Sequence, residues 1–227
     1  MPPDRRARRL IVFDLDGTLV DSRRDLADGV NAMLVEIGRP PLPVDDVAEM
    51  VGEGARLLVE RALARSAQSG PPDGAGSISV ADALAQFLTH YDTRLLNHTR
   101  AYDGIPEWVA SLAAQATLAV LTNKPRAASV RILEGLGLLD HFADVIGGDG
   151  PHPRKPDPSS LLMLVERYGA RNKDALLVGD SRIDLQTGQN AGVRVCLVRW
   201  GFGFRFAEGD LPADVFVVDR PGAMVFS

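Results

Sequence analysis

Cysteine is almost missing from the 227 residues, with Cys196 the only one. No intrachain disulfide can form, and a cysteine-rich metal site is excluded. Cys196 lies in the apolar run Val193 to Val198, where it reads as a buried, inert thiol. Lysine is nearly as scarce. Of 25 basic residues only Lys124, Lys155 and Lys173 are lysines, and arginine supplies the other 22, so each lysine position merits inspection. No long hydrophobic run follows the N-terminal arginines. Arg5, Arg6, Arg8 and Arg9 precede Leu10 to Phe13, which Asp14 ends after four residues. A secretory h-region needs roughly 7–15 residues and a membrane span about 20. The arginine cluster therefore reads as a solvated tail, no membrane partner is expected, and the expected location is cytoplasmic. An excess of positive charge is also missing: the net charge of −5 argues against a dedicated nucleic-acid binder.

What is present is the composition of an ordinary globular protein, 45% hydrophobic and 24% charged, which excludes wholesale disorder. Short, nearly all-apolar runs recur at Leu10–Phe13, Ala116–Leu121, Ala143–Ile146, Ala175–Val178, Arg194–Val198 and Asp214–Val218. Runs of this kind suit strands buried on both faces of a parallel sheet. Helical patterns separate them. Pro106 is placed at the first position of one helix, Arg126 to Leu136 runs into Gly137 as a stop, and Asp157–Pro158 opens a third helix with Asp157 as N-cap. Alternation of this sort predicts an open, parallel, Rossmann-like α/β sheet with right-handed crossovers.

About 100 residues separate the first two strands, far more than one crossover needs. Within them Leu26, Val30, Met33, Leu34 and Ile37 share one helical face; Leu57, Leu58, Ala62 and Leu63 share another; Leu84, Phe87, Leu88, Tyr91 and Leu95 a third. The expected organisation is a helical domain over residues 21–99 inserted into an α/β core made of residues 1–20 and 100–227. Ser66–Ser79, rich in glycine and proline, is expected to be a flexible connection inside the insert.

Four polar clusters follow predicted strands, at the edge where open parallel sheets bind ligands. Asp14-Leu15-Asp16-Gly17-Thr18 places two carboxylates near one point, although the same residues would make an ordinary turn. Thr122-Asn123-Lys124-Pro125 can hold phosphoryl oxygens or simply cap a helix. Arg154-Lys155-Pro156 offers a firmly held lysine or a surface one. Gly179-Asp180-Ser181-Arg182-Ile183-Asp184 adds two carboxylates one helical turn apart, or a structural turn. Gathered at one edge, Asp14, Asp16, Asp180 and Asp184 would repel unless cations intervene. Lys155 supplies one positive charge, and their hard oxygens suit Mg²⁺.

In this order and after these strands, the motifs resemble those of the haloacid dehalogenase-like hydrolases, and the stretches around Gly52, Lys155 and Asp180 look most like the phosphoglycolate phosphatase subgroup. The resemblance implies a helical cap and an aspartyl-phosphate mechanism. Asp14 would be the nucleophile and Asp16 the acid and base. Thr122, the Asn123 backbone and Lys155 would face the phosphoryl group. Mg²⁺ would be held by Asp14, the Asp16 carbonyl and Asp180, with Asp184 one layer behind. Asp16 fits an oxygen leaving group rather than a halide, and the insert contains no lysine for Schiff-base chemistry. Gly52 could approach a small substrate, and Arg56 is a candidate for its carboxylate. The expected partner is a small phosphorylated metabolite, foremost 2-phosphoglycolate, acted on by a monomer or homodimer. A sugar phosphate, amino sugars included, and a phosphomutase activity are the competing expectations. Lys124 is left without a role, Lys173 reads as a surface residue, and Gly201-Phe202-Gly203-Phe204 is given no chemistry.

Overall fold

In the computed structural model, residues 9–68, 78–207 and 209–223 are described. Arg5, Arg6, Arg8 and most of the Ser66–Ser79 connection lie outside them. Six parallel strands form the main sheet: β1 (Leu10–Phe13), β4 (Thr117–Leu121), β5 (Asp144–Ile146), β6 (Ala175–Gly179), β7 (Arg194–Val198) and β8 (Phe216–Val218). Their spatial order is β5-β4-β1-β6-β7-β8. The first strand thus lies between β4 and β6, with Val12 level with Ala119 on one side and Leu177 on the other.

Burial of both faces explains the unbroken apolar runs. Ile11 and Phe13 point into one core layer while Leu10 and Val12 point into the other, as a period of two requires. Phe13 meets Trp108 edge-on at 5.6 Å, and Trp108 comes from α5 (Ile105–Ala113). On the opposite face Leu161, Leu164 and Val165 of α7 (Ser159–Arg167) cover the sheet. Helix α6 (Arg126–Gly135) and helix α8 (Arg182–Ala191) complete the crossovers.

Between β2 (Val20–Asp21) and β3 (Arg100–Ala101), which pair antiparallel, the chain is helical: α1 (Arg23–Glu36), α2 (Val44–Ala48), α3 (Ala55–Ala67) and α4 (Val80–Asp92). Their inward faces are largely those expected, with Leu26, Val30, Met33, Leu34, Leu58, Ala62, Leu63, Phe87 and Tyr91 buried. Leu88 departs from this, standing 39% exposed. The two-residue strands carry no periodicity that a sequence reading could detect.

Strands β4 and β5 start one residue later than expected and β6 ends one residue later, and three further boundaries differ. Helix α5 begins at Ile105, so Pro106 is its second residue and the left-handed Gly104 its cap. Pro158, not Asp157, is the N-cap of α7; the Asp157 carboxylate still accepts the Ser159 N–H at 2.9 Å. Strand β8 starts two residues late because Val215 N–H turns back to Pro212 O at 3.1 Å.

Candidate active site

Because β4, β1 and β6 are neighbours, the residues after them share one edge. Asp14 leaves β1 with its N–H on Val178 O at 2.8 Å, and Thr122 leaves β4 with its N–H on Ile146 O at 3.0 Å. Lys155 Nζ lies 2.9 Å from Asp14 Oδ1 and 2.6 Å from Asp184 Oδ1. The second Asp184 oxygen accepts from Ser181 N–H at 3.1 Å and Ser181 Oγ at 2.6 Å. That pair is a capping box at the start of α8, so helix initiation also fixes the carboxylate that holds Lys155.

Asp180 is 2% exposed. It accepts from Gly203 N–H at 2.8 Å and from the Thr18 hydroxyl at 3.4 Å. A Cβ at Gly17 would come within 2.0 Å of its carboxylate, and one at Gly201 within 2.2 Å of its Cβ. The Gly201–Phe204 loop therefore does have a part in the site: its glycines leave room for a carboxylate and its backbone supplies a donor. No local sequence signal ties that loop to Asp180, since the two meet only through the fold.

Oxygens of Asp14, Asp180 and Asp184 lie within 4.8 Å of one another. Three carboxylates face one ammonium, an imbalance of charge that a divalent cation would correct. The strain shows in the acids themselves. Burial, with Asp184 adding to it against the pull of Lys155, raises the Asp14 carboxyl to about 6. Burial and then Asp184 and Asp14 push Asp180 well above the carboxylate range. Burial opposes the charge on Lys155, but Asp14 and Asp184 together outweigh it and keep it protonated. The donor set, the shortage of cations and the glycine-lined space beside Asp180 all fit a hard divalent metal. A second acidic group, Asp25, Asp28 and His98, differs in kind. Asp25 is committed to the His98 and Thr99 N–H groups and the Thr99 hydroxyl at 2.8 to 3.0 Å, so it anchors the chain entering β3.

The Asp16 side chain does not join the carboxylate triad. Its oxygens accept from Lys124 Nζ at 3.0 and 2.9 Å and from Ser22 Oγ at 2.6 Å. Lys124, 7% exposed, also donates to Tyr91 Oη at 2.7 Å. Burial pushes the Tyr91 phenol up to about 12, against the pull of Lys124. Its scarcity marked Lys124 in the sequence, but nothing local pointed to Tyr91, which reads only as part of a buried helical face.

Asn123 works through its side chain as well as its position. Its amide donates to Gly52 O at 2.9 Å and Lys155 O at 3.0 Å and accepts Lys155 N–H at 2.9 Å. It thus links the loop after β4 to the lysine loop and to the insert. Thr122 is 3% exposed, and its hydroxyl accepts Lys124 N–H at 3.2 Å. A cavity of ≈ 70 Å³ lies between the insert and the sheet edge. Asp14, Asp16, Gly52, Thr122, Asn123 and Lys124 line its polar side; Val51, Leu58, Phe87 and Leu88 are on its apolar side. Arg56 is not brought there. It is the second residue of α3, points outward and pairs with Glu60 at 3.0 Å, its side chain 58% exposed.

Comparison with known proteins identifies the family. Residues 11–198 match the family model described as haloacid dehalogenase-like hydrolase. The chain is 41% identical to phosphoglycolate phosphatase 1 of Pseudomonas aeruginosa, over 87% of this chain and 71% of that one. It is 43% identical to the phosphoglycolate phosphatase of Rhodospirillum rubrum, over 86% and 80%. A crystal structure of a predicted phosphoglycolate phosphatase from Haemophilus somnus superposes with a TM-score of 0.84 at 31% identity, covering 92% and 93%. The resemblance read from the motifs is thereby borne out, and the chain belongs to the haloacid dehalogenase-like hydrolase family.

Proposed function

We propose that this protein is a Mg²⁺-dependent phosphatase of a small, carboxylate-bearing phosphomonoester, foremost 2-phosphoglycolate. That it is a phosphoric monoester hydrolase rests on its family, on relatives named phosphatases and on the composition of the site. The observation that carries the reading is the buried Asp14–Lys155–Asp184 ion cluster beside Asp180.

Asp14 is the proposed nucleophile. A carboxylate oxygen forms a bond to phosphorus as the bond to the alcohol oxygen breaks, and Asp16 gives that oxygen a proton. Water then attacks the aspartyl-phosphate, Asp16 takes its proton, and phosphate leaves with Asp14 regenerated. Lys155 holds Asp14 in place and offsets charge on the transferring group, while Thr122 and the Asn123 backbone hold its oxygens. Asp14, Asp180 and the Asp16 carbonyl would hold Mg²⁺, with Asp184 behind them through Lys155. When bound, the ion offsets negative charge shared by nucleophile and phosphate. Arg56, outside the cavity, is given no part in binding.

We assign residues 21–99 to a cap over the α/β core of 1–20 and 100–227, with the β2–β3 ribbon at the junction. The protein is proposed to act in the cytoplasm as a monomer or homodimer, without a nucleic-acid partner. A sugar-phosphate phosphatase with the same core and different cap contacts is the alternative reading. Phosphate release from 2-phosphoglycolate should require Mg²⁺, and Asp14→Asn should reduce it at least about 10³-fold. Unchanged turnover in that variant would overturn the mechanism. A need for a sugar bisphosphate would point to a phosphomutase instead.

A further inference from the structure

Of the residues lining the cavity, Lys124 is the one cation. Its ammonium donates to both oxygens of the Asp16 carboxylate and to the Tyr91 hydroxyl. A carboxylate therefore already occupies the only cationic group among the described residues that line the cavity, and that carboxylate belongs to the protein. Tyr91 is placed with care. It stacks on Phe87 with ring centroids 5.5 Å apart and planes 9° off parallel. Gly29 of α1 lets α4 come close, since a Cβ there would sit 3.2 Å from Tyr91 Cβ. The hydroxyl is thus held from the insert side while Lys124 and Asp16 come from the core.

We infer that Lys124, with Tyr91, is the specificity site for the non-reacting carboxylate of the substrate, and that Asp16 occupies it as an internal stand-in while the cavity is empty. This rests on the phosphatase reading above and adds to it. An entering substrate presents two anionic ends. The phosphoryl end goes to Asp14, Thr122 and Asn123, which line the cavity, with Lys155 behind Asp14. The carboxylate replaces that of Asp16 on Lys124 with the same pair of charge-assisted hydrogen bonds. Displaced, Asp16 keeps Ser22 as a partner. Buried, apolar Leu58 and Phe87 flank the exchange, and a low local dielectric strengthens both ion pairs. A substrate lacking the carboxylate leaves Asp16 on Lys124 and gains nothing from the exchange.

The test compares kcat/KM for 2-phosphoglycolate and for ethyl phosphate, which replaces the carboxylate with a methyl group. Lys124→Met should lose roughly 10- to 100-fold of the preference for 2-phosphoglycolate. Tyr91→Phe removes one oxygen and leaves the core packed; it should lose several-fold of the same preference with its melting temperature nearly unchanged. Loss of folded enzyme lowers both rates equally and cancels in the ratio. An unchanged preference in both variants would overturn the inference while leaving the phosphatase reading intact. A wild-type enzyme that hydrolyses both esters without preference would overturn the choice of substrate as well. Absence of Mg²⁺-dependent hydrolysis of either ester would overturn the phosphatase reading itself.

Discussion

Asp14 and Asp180 are held in places that water would not choose for a carboxylate, and the cost has a measurable sign. In the metal-free protein Asp14 is raised by burial from 3.8 to about 6, and Asp180 is raised too. Between those values the native state binds more protons than the unfolded chain, so stability falls as pH rises through that window. Asp14 alone accounts for roughly 3 kcal/mol of the fall. Asp21, lowered from 3.8 by its Arg23 bonds despite the opposing desolvation, acts with the opposite sign and below the window. Urea titrations of chelator-treated protein from about pH 4 to 6 should show the decline, and a flat or rising curve would contradict it. A second residue-scale expectation concerns Gly201. Alanine there would press on Asp180 Cβ at 2.2 Å and Gly17 O at 2.5 Å. It should cost about 1–3 kcal/mol and weaken Mg²⁺ binding by at least about tenfold, read by denaturation and calorimetric titration.

At the scale of elements, the start of α8 does two jobs. Its capping box satisfies helix N–H groups, and the same Asp184 restrains Lys155 beside Asp14. Ser181→Ala should therefore lose about 1 kcal/mol of stability, as cap deletions do, together with a fall in kcat that exposed cap losses do not cause. Restored activity in Ser181→Thr would tie both effects to the hydroxyl. The central strands were legible because each is short, apolar and buried on both faces; the edge strand β8, with Phe216 half exposed, was legible from its apolar run alone. The clusters after them were legible because Asp, Gly, Lys and Thr stand out against such runs. Strands β2 and β3 were not, being two residues long, and the ends of α5, α7 and β8 moved by one or two residues because local turns compete with the periodic pattern.

At the scale of the whole molecule, the site is a junction. Asn123 meets Gly52 and Lys124 meets Tyr91, so core and insert share polar contacts across the cavity. The carboxylates that would share a metal come from two separate stretches of chain, and metal binding should stabilise the native state by mass action. Mg²⁺ at 100 times its dissociation constant should add about 2.7 kcal/mol, seen as a rise in melting temperature. Asp180→Asn should abolish the rise; a rise that survives would move the metal away from this triad. Among the described residues no helix is long and apolar enough to cross a membrane.

The scarcity of lysine and cysteine noted at the outset separates what order along the chain can specify from what folding adds. Composition, periodicity and the four spaced clusters were enough for the sheet, the helical insert, the family and the residues gathered at one edge, because those depend on local runs and on parallel-strand topology. Which partner each charge takes did not follow from them. Lys155 reaches both Asp14 and Asp184 and leaves Asp16 to Lys124. Arg56, plausible by position, faces solvent beside Glu60, while Tyr91 and Gly201, unremarkable by position, enter the site. These are contacts between residues tens to hundreds of positions apart, set by how the helices lie on the sheet, and short-range patterns carry no record of them.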